Sequence, residues 1–366
     1  MATTPPHLPQ GTLFEAGPDP SAQDGAVQET AAAASRRRAA AEVLPVAPDP
    51  SWQALGQALP PRLYLGTSSW HFPGWRGLVW DGDYAENRLS RDGLAAYARH
   101  PLLRTVSLDR AFYRPLSASE YARCAAQVPP RFRFVVKAPS LVTDALVRAA
   151  DGRGKAPNPA FLDPELALRQ FVEPALQGLG ERVGALVFQI SPLPSPWLAR
   201  LPELIARLGS LLAALPPLAP TAPDGVLAVE VRDAAFLSAE HAPLLAAALR
   251  GARARNAVTY GLGLHAKMPP IEDQLPLLRA LWPGPLVCRW NLHRRHGAHG
   301  YDAARQLYEP FDALVDPDPD TRATLARVIA GTTAAGQPAY VTINNKAEGS
   351  APLSVLALAE ALAPRP

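Results

Sequence analysis

From about residue 62 to its end, the chain alternates between short continuous apolar runs and longer stretches with helical spacing. Eight runs predict strands: Arg62–Gly66, Arg104–Asp109, Phe132–Lys137, Ala185–Ile190, Val226–Val231, Ala257–Gly261, Pro285–Trp290 and Ala339–Ile343. Most are unbroken and β-branched, as expected for strands buried on both faces of a parallel sheet. Between them the spacing predicts helices over Leu89–His100, Ser117–Gln127, Pro164–Leu176, Trp197–Leu212, Ala239–Arg250, Ile271–Leu281, Thr321–Ala330 and Pro352–Leu362. Ser117 with Glu120 has the form of a capping box, and Asp163-Pro164 joins an N-cap to Pro at the first helical position. Eight strands alternating with eight helices predict an α/β fold, a (β/α)₈ TIM-type barrel over residues 61–366. The competing doubly wound sheet lacks its phosphate fingerprint, since no Gly-x-Gly-x-x-Gly follows any strand.

Residues 1–60 break this rhythm. They are rich in Pro, Ala, Gly, Gln and Ser and nearly free of aromatics, so they predict a disordered tail that cannot bury enough apolar surface to offset its ordering entropy. Glu29–Val43 is Ala-rich around Arg36, Arg37 and Arg38 and reads as a solvated basic patch. Nearer the start, Gln10-Gly11-Thr12-Leu13-Phe14 resembles the Q-x-x-L-F pentapeptide by which bacterial replication and repair proteins dock onto the sliding clamp. Gln10, Leu13 and Phe14 would carry that contact, which makes the clamp an expected partner of the tail.

Composition narrows the rest. A net charge of +3 across 366 residues is no strong footprint for nucleic acid or acidic lipid, so nucleic acid stays only as an alternative partner. Of 36 basic residues only four are lysine, Lys137, Lys155, Lys267 and Lys346. A lysine retained in so arginine-rich a chain marks a place where a compact ammonium with a movable pKa is needed. Cys124 and Cys288 allow neither a disulfide framework nor a zinc spacing. The first residues lack the apolar core of a signal peptide, and no apolar run approaches the ~20 residues of a membrane span, so the expected location is cytoplasmic, with no membrane partner. His293, His296 and His299 suit neither one helix face nor a zinc loop and read as a basic loop; no metal is expected, and the cofactor is unknown.

The strand ends carry the candidate chemistry. The C-terminal ends of barrel strands build the active site in this fold. Here TVSLD ends on Asp109, FRFVVK on Lys137 and ALVFQ on Gln189. LAVEVRD supplies Glu230, Arg232 and Asp233, LVCRWN supplies Arg289 and Asn291, and YVTINN supplies Asn344 and Asn345. The first strand runs into Ser68, Ser69, Trp70 and His71. Trp70, Trp75, Phe112 and Tyr113 are expected to line the same mouth, where aromatic faces stack on sugar rings or bases.

Six blocks in order, LYLGTSSWHFPGWRG, VSLDRAFYR, FRFVVKAP, GALVFQISP, LAVEVRD and YVTINNKAEGSAP, resemble the YecE-like family, also called domain of unknown function 72. The likeness spans roughly residues 62–363. It implies a TIM-type barrel and names no reaction. This chain departs from the family pattern V-E-I-N-S/T-F-Y, placing Ser107 where Glu is usual and Asp109 where Asn is usual. It also has Asp144 where His is frequent, and Arg289-Trp290-Asn291-Leu292 where Arg-Leu-His-Gly is usual, so it reads as a divergent member.

The expected function is an enzyme acting on an anionic or polyhydroxylated small molecule at the C-terminal mouth. Lys137 and Glu230 are its catalytic pair, by acid–base or Schiff-base chemistry of a lyase, isomerase or hydrolase. Arg232 and Arg289 would hold carboxylate or phosphate oxygens, with Trp70, Asp109, Tyr113, Gln189, Asn344 and Asn345 completing the binding surface. The alternatives are a nucleic-acid-associated protein tethered to the clamp and a binding barrel without catalysis.

Overall fold

The computed structural model describes residues 42–47, 49–149, 153–297 and 300–363. Eight parallel strands close into a barrel in sequence order around the ring. They are β1 (Leu63–Thr67), β2 (Thr105–Leu108), β3 (Arg133–Lys137), β4 (Val183–Gln189), β5 (Val226–Glu230), β6 (Ala257–Leu264), β7 (Leu286–Trp290) and β8 (Ala339–Ile343). The ring shuts where Leu63 pairs in register with Ala339 and Gly66 with Thr105. All eight expected strands are present, and the fully buried run of β4 shows why they were legible: both of its faces meet protein.

Alternate residues face inward and outward along each strand. The inward set packs a compact interior of Tyr64, Val135, Ala185, Val187, Val226, Ala228, Val287 and Tyr340. Ala185 and Ala228 are small where the two tyrosines are large, and Tyr64 and Tyr340 stack at 4.8 Å between ring centroids. Below them, Asp224 accepts from Arg62 and Arg133, each at 3.0 Å, and closes the N-terminal end of the barrel. The outward set packs against the helices in the larger apolar cluster.

The helices follow their sequence signals, with instructive breaks. Ser117 and Glu120 form the full capping box ahead of Ala118–Ala125. Asp163 caps Pro164–Ala167, but the helix then widens into a π turn over Leu168–Val172 before resuming as Glu173–Leu179. Pro174 has no N–H to return to the preceding turn, and the extra residue accommodates that gap. The stretch expected as one helix over Leu89–His100 is two, Glu86–Asp92 and Leu94–Tyr97, divided at Gly93.

Three features lie beyond the expected pattern. A helix over Tyr301–Tyr308 follows β7, and an exposed antiparallel hairpin, Leu146–Arg148 with Gly154–Pro157, follows β3. The third corrects the expected end of the tail at residue 60. Asp49 caps a helix over Pro50–Ala58, Val43 and Leu59 are buried, and the folded unit begins at Val43. One close approach fixes this segment: a Cβ on Gly56 would stand 2.8 Å from the Pro101 carbonyl oxygen. Gln10, Leu13, Phe14 and Arg36–Arg38 lie outside the described residues. Among the described residues, no helix is long and apolar enough to cross a membrane.

Candidate functional site

Strand parity assembles the mouth. Lys137, Gln189, Glu230 and Arg289 each stand two residues beyond an interior residue, Val135, Val187, Ala228 and Val287 respectively, so all four point into the barrel. Asp109 joins them one residue past β2. On β6 the inward positions are Gly261 and Gly263, which leave space for the neighbouring carboxylate. A Cβ on Gly263 would come within 3.1 Å of the Glu230 side chain.

Arg289 is the hub. Its side chain is 3% exposed, and its Nη2 donates to both Asp109 oxygens at 2.9 Å. Its Nη1 donates to Gln189 Oε1 at 2.9 Å and to Glu230 Oε2 at 3.0 Å. One guanidinium therefore joins β7 to the ends of β2, β4 and β5. Arg232 Nη2 stands 2.7 Å from Glu230 Oε1 yet aims its N–H at Gln189 Oε1, 2.8 Å away. Glu230 Oε1 thus has an ion-pair partner and no aligned hydrogen bond.

Asp109 is held a second way, by the Ser107 hydroxyl donating to its Oδ1 at 2.7 Å. Ser107 and Asp109 thus act together, because the hydroxyl at the inward position supplies a hydrogen bond to the carboxylate two residues later.

Electrostatics separates these groups. Burial works against the charged form of Asp109, but Arg289, Lys137, the Ser107 hydroxyl and Arg232 together hold its carboxyl below the usual range. For Glu230, burial is again the largest influence and is overcome by Arg232, Arg289 and Lys137. Both carboxylates stay ionised and neutralise the two arginines. Lys137 is the cation left over. Burial first, then Arg289 and Arg232, lower its pKa from 10.5 to about 7 against the pull of Asp109 and Glu230.

The Lys137 ammonium lies 3.5 Å from the centroid of the Phe112 ring, and among the described residues no carboxylate comes within salt-bridge distance of it. It lines a cleft of about 720 Å³ together with Phe112, Tyr113, Asp144, Asn158 and Gln189. Asp144 is buried on one wall, where it pairs with Arg148 at 2.5 Å and accepts from the Leu146 N–H at 3.0 Å. It therefore anchors the start of the hairpin that walls the cleft.

The structure brings together Asp109, Lys137, Gln189, Glu230, Arg232 and Arg289, with Tyr113 on the outer rim at 82% exposure. The other expected residues stand elsewhere. Trp70 is buried and donates to the Leu89 carbonyl at 3.1 Å. Trp75, expected to line the mouth, is a core residue whose Nε1 donates to Asn345 Oδ1 at 3.2 Å. Asn345 also accepts from the Ala351 N–H at 2.8 Å, and Asn344 caps the short turn that follows by accepting from the Lys346 N–H at 3.0 Å. Asp233 accepts from the Leu193 N–H at 3.0 Å, and Asn291 donates to the Arg289 carbonyl at 3.2 Å. Glu348 is fully buried against Arg322, and its carbonyl takes the N–H groups of Val315 and Asp316. These packing facts make Asn345 and Glu348 struts rather than a lining.

Two residues at the mouth were not expected. His265 continues the inward parity of β6 past Gly263. Its Nδ1 accepts from the Lys267 N–H, so its Nε2 carries the proton, and burial first and then Arg232 push its pKa down to about 4. Tyr301, whose ring lies 5.2 Å from that of His265, faces the same charges, and burial raises its hydroxyl pKa. The strand was expected to stop at Gly261, which hid His265, although the alternation G-L-G-L-H carried the signal. In the histidine run, His296 lies 2.7 Å from the Tyr308 hydroxyl and His293 caps its own turn, while His299 lies outside the described residues. Among the described residues no group of His, Cys, Asp and Glu could hold a metal ion.

The profile of the family described as "Protein of unknown function DUF72" matches residues 64–366. A DUF72 family protein from Enterococcus faecalis V583 has a crystal structure that superposes with a TM-score of 0.51 at 15% identity, over 83% of this chain and 96% of that one. Another, from Thermotoga maritima MSB8, gives 0.47 at 18% identity, over 82% of this chain and 98% of that one. No curated protein matches.

Proposed function

The chain belongs to the DUF72 family, and on that premise we propose that its barrel mouth is an enzyme site for a small anionic or polyhydroxylated molecule, with Lys137 as the reacting group. The observation that carries this reading is a single one. Lys137 is the cation left unpaired by an otherwise neutral cluster, and it opens onto the cleft of about 720 Å³. A lysine that is partly neutral near pH 7 serves as a base or adds to a carbonyl carbon. In the second case the C–N bond forms first. The carbonyl oxygen then leaves as water, having gained one proton from the amine and one from solvent, and a protonated imine remains. Glu230, braced between two arginines, is suited to fixing their positions rather than to exchanging protons. Asp109, 34% exposed on its side chain, is the more accessible of the two carboxylates. Gln189 and Tyr113 offer hydrogen bonds to hydroxyl groups.

The test is a thermal-shift screen of the full chain against sugars, sugar phosphates and keto acids, with Lys137→Met alongside. A stabilising ligand whose shift disappears in the variant supports the reading. Shifts that survive Lys137→Met remove it. Cyanoborohydride trapping of a carbonyl hit separates the two chemistries, because only the carbonyl-adding amine leaves a covalent mark at Lys137.

A second reading concerns the tail alone, and the sequence QGTLF favours it. Gln10, Leu13 and Phe14 would dock on a sliding clamp and bring the barrel to replicating DNA. A peptide of residues 1–20 titrated with a bacterial clamp tests this, and no binding at micromolar concentrations removes it. The small net charge weighs against direct binding of nucleic acid by the barrel.

A further inference from the structure

The mouth has a second lysine, on the side of the ring away from Lys137. Lys346 follows β8 and lines a separate cleft of about 400 Å³ together with Phe72, Glu86, Arg305, Glu309 and Phe311. In barrel order β8 and β1 adjoin, and they lie across the ring from β3 and β4, whose ends carry the first cleft.

The charged groups that line the cleft beside Lys346 have other partners. Arg305 pairs with Glu309 at 2.6 Å, and His71 lies 3.0 Å from Glu86. Lys346 itself has no carboxylate within salt-bridge distance among the described residues. Its ammonium stands over two rings, 5.7 Å from the Tyr301 centroid and 5.9 Å from that of Phe311. Ring faces attract such a cation and do not discharge it. Burial, then Arg305, lower its pKa against Glu309 and Asp302.

The floor is held by a strained and crowded backbone. Phe311 has φ +72°, in the left-handed region that bulky residues avoid. That conformation sets its ring edge-on to Phe72, at 5.4 Å and 80°. The chain has no slack there, since a Cβ on Gly74 would stand 1.8 Å from the Pro310 carbonyl oxygen. Strain of this kind persists where surrounding structure over-determines it, commonly at ligand clamps.

We infer that this cleft binds the carboxylate of a small organic acid, with Lys346 on the carboxylate and the planar or apolar body of the acid against the wall that Phe72 and Phe311 form together. Charge selects the class. One unpaired ammonium suits a single negative charge, whereas the rim carboxylates Glu86 and Glu309 repel a second. Inorganic phosphate and phosphate esters are thereby disfavoured, and the apolar walls reward an organic body.

Benzoate and inorganic phosphate are the probes, titrated against the full chain, with benzoate followed by saturation-transfer NMR and phosphate by its competition with benzoate. Benzoate is expected to bind and phosphate to leave its signal unchanged. Lys346→Gln should weaken benzoate at least tenfold. Glu309→Gln, which frees Arg305 and removes a rim charge, should strengthen benzoate severalfold and make phosphate an effective competitor, so a misfolded lysine variant would not decide the matter alone. Equal benzoate affinity in wild type and Lys346→Gln overturns the inference, as does no benzoate binding to wild type. Loss of binding in Lys137→Met with retention in Lys346→Gln also overturns it, by moving the acid to the first cleft.

Discussion

The barrel interior is capped at both ends by arginine–carboxylate clusters that differ in how they are backed. At the N-terminal end Asp224 takes Arg62 and Arg133, its carbonyl accepts from the Tyr340 hydroxyl at 2.9 Å, and the stacked Tyr64 and Tyr340 rings fill the space above. Arg133 also lies over the Tyr64 ring. At the C-terminal end charged groups meet at the centre. Arg289 and Arg232 share Gln189 and Glu230, glycines replace side chains on β6, and Lys137 is left beside an open cleft. The same pairing chemistry thus serves closure at one end and a charged, accessible surface at the other. That division matches a fold whose chemistry sits at the strand C-termini.

The largest expected effect tests how far the ends differ in burial. Arg289→Met leaves Glu230 buried with one remaining partner and Asp109 without its guanidinium, and should cost about 3–5 kcal/mol in urea denaturation. Arg133→Met leaves Asp224 still paired to Arg62 and partly in water, and should cost about 1–2 kcal/mol. Equal losses would break the comparison. Next come the glycines. At the N-terminal end a Cβ on Gly184 would meet the Tyr340 ring at 2.7 Å and the Arg133 Cβ at 2.9 Å, so Gly184→Ala should cost about 2–3 kcal/mol. Gly263→Ala first meets the Glu230 side chain, at 3.1 Å, and should cost about 1 kcal/mol. A reversed order would make the mouth the more rigid end.

A smaller effect depends on pH. The folded-state pKa of Lys137 lies near 7 and its ordinary value is 10.5, so between those limits the unfolded chain binds more protons. Stability contributed at this position therefore rises from pH 7 to pH 10.5 and is flat below 7. The stability difference between Lys137→Met and wild type should be largest in favour of methionine at or below pH 7 and should shrink toward pH 10.5. A difference independent of pH would mean that the lysine is charged throughout. The smallest effect is expected at the rim, where Tyr113→Ser should change stability by less than about 0.5 kcal/mol while weakening any ligand of the first cleft.

Most of the barrel was legible because each strand is buried on both faces and so reads as an unbroken apolar run. The hairpin was not, since LVR and GKAP are exposed and carry no buried face to write into the pattern. Pro50–Ala58 was hidden by composition, because its few apolar residues pack on a neighbour that the sequence does not identify. At the site, position relative to a strand end found Asp109, Lys137, Gln189, Glu230 and Arg289, since inward parity follows directly from the last interior residue. Position alone could not show that Asn345 falls on the opposite parity and spends its oxygen on Trp75 and Ala351. Nor could it show that Glu230 would be claimed by two arginines, because Arg289 lies 59 residues further along the chain.

The bonds made by Arg289 have a consequence for the chain as two half-barrels, β1–β4 and β5–β8. At the mouth the first half supplies the acid, Asp109, and the second half the base, Arg289. At the other end the roles are exchanged, with Arg62 and Arg133 in the first half and Asp224 leading into the second. Each end of the barrel is therefore held by ion pairs that cross between the halves, so separating the halves would break pairs at both ends at once.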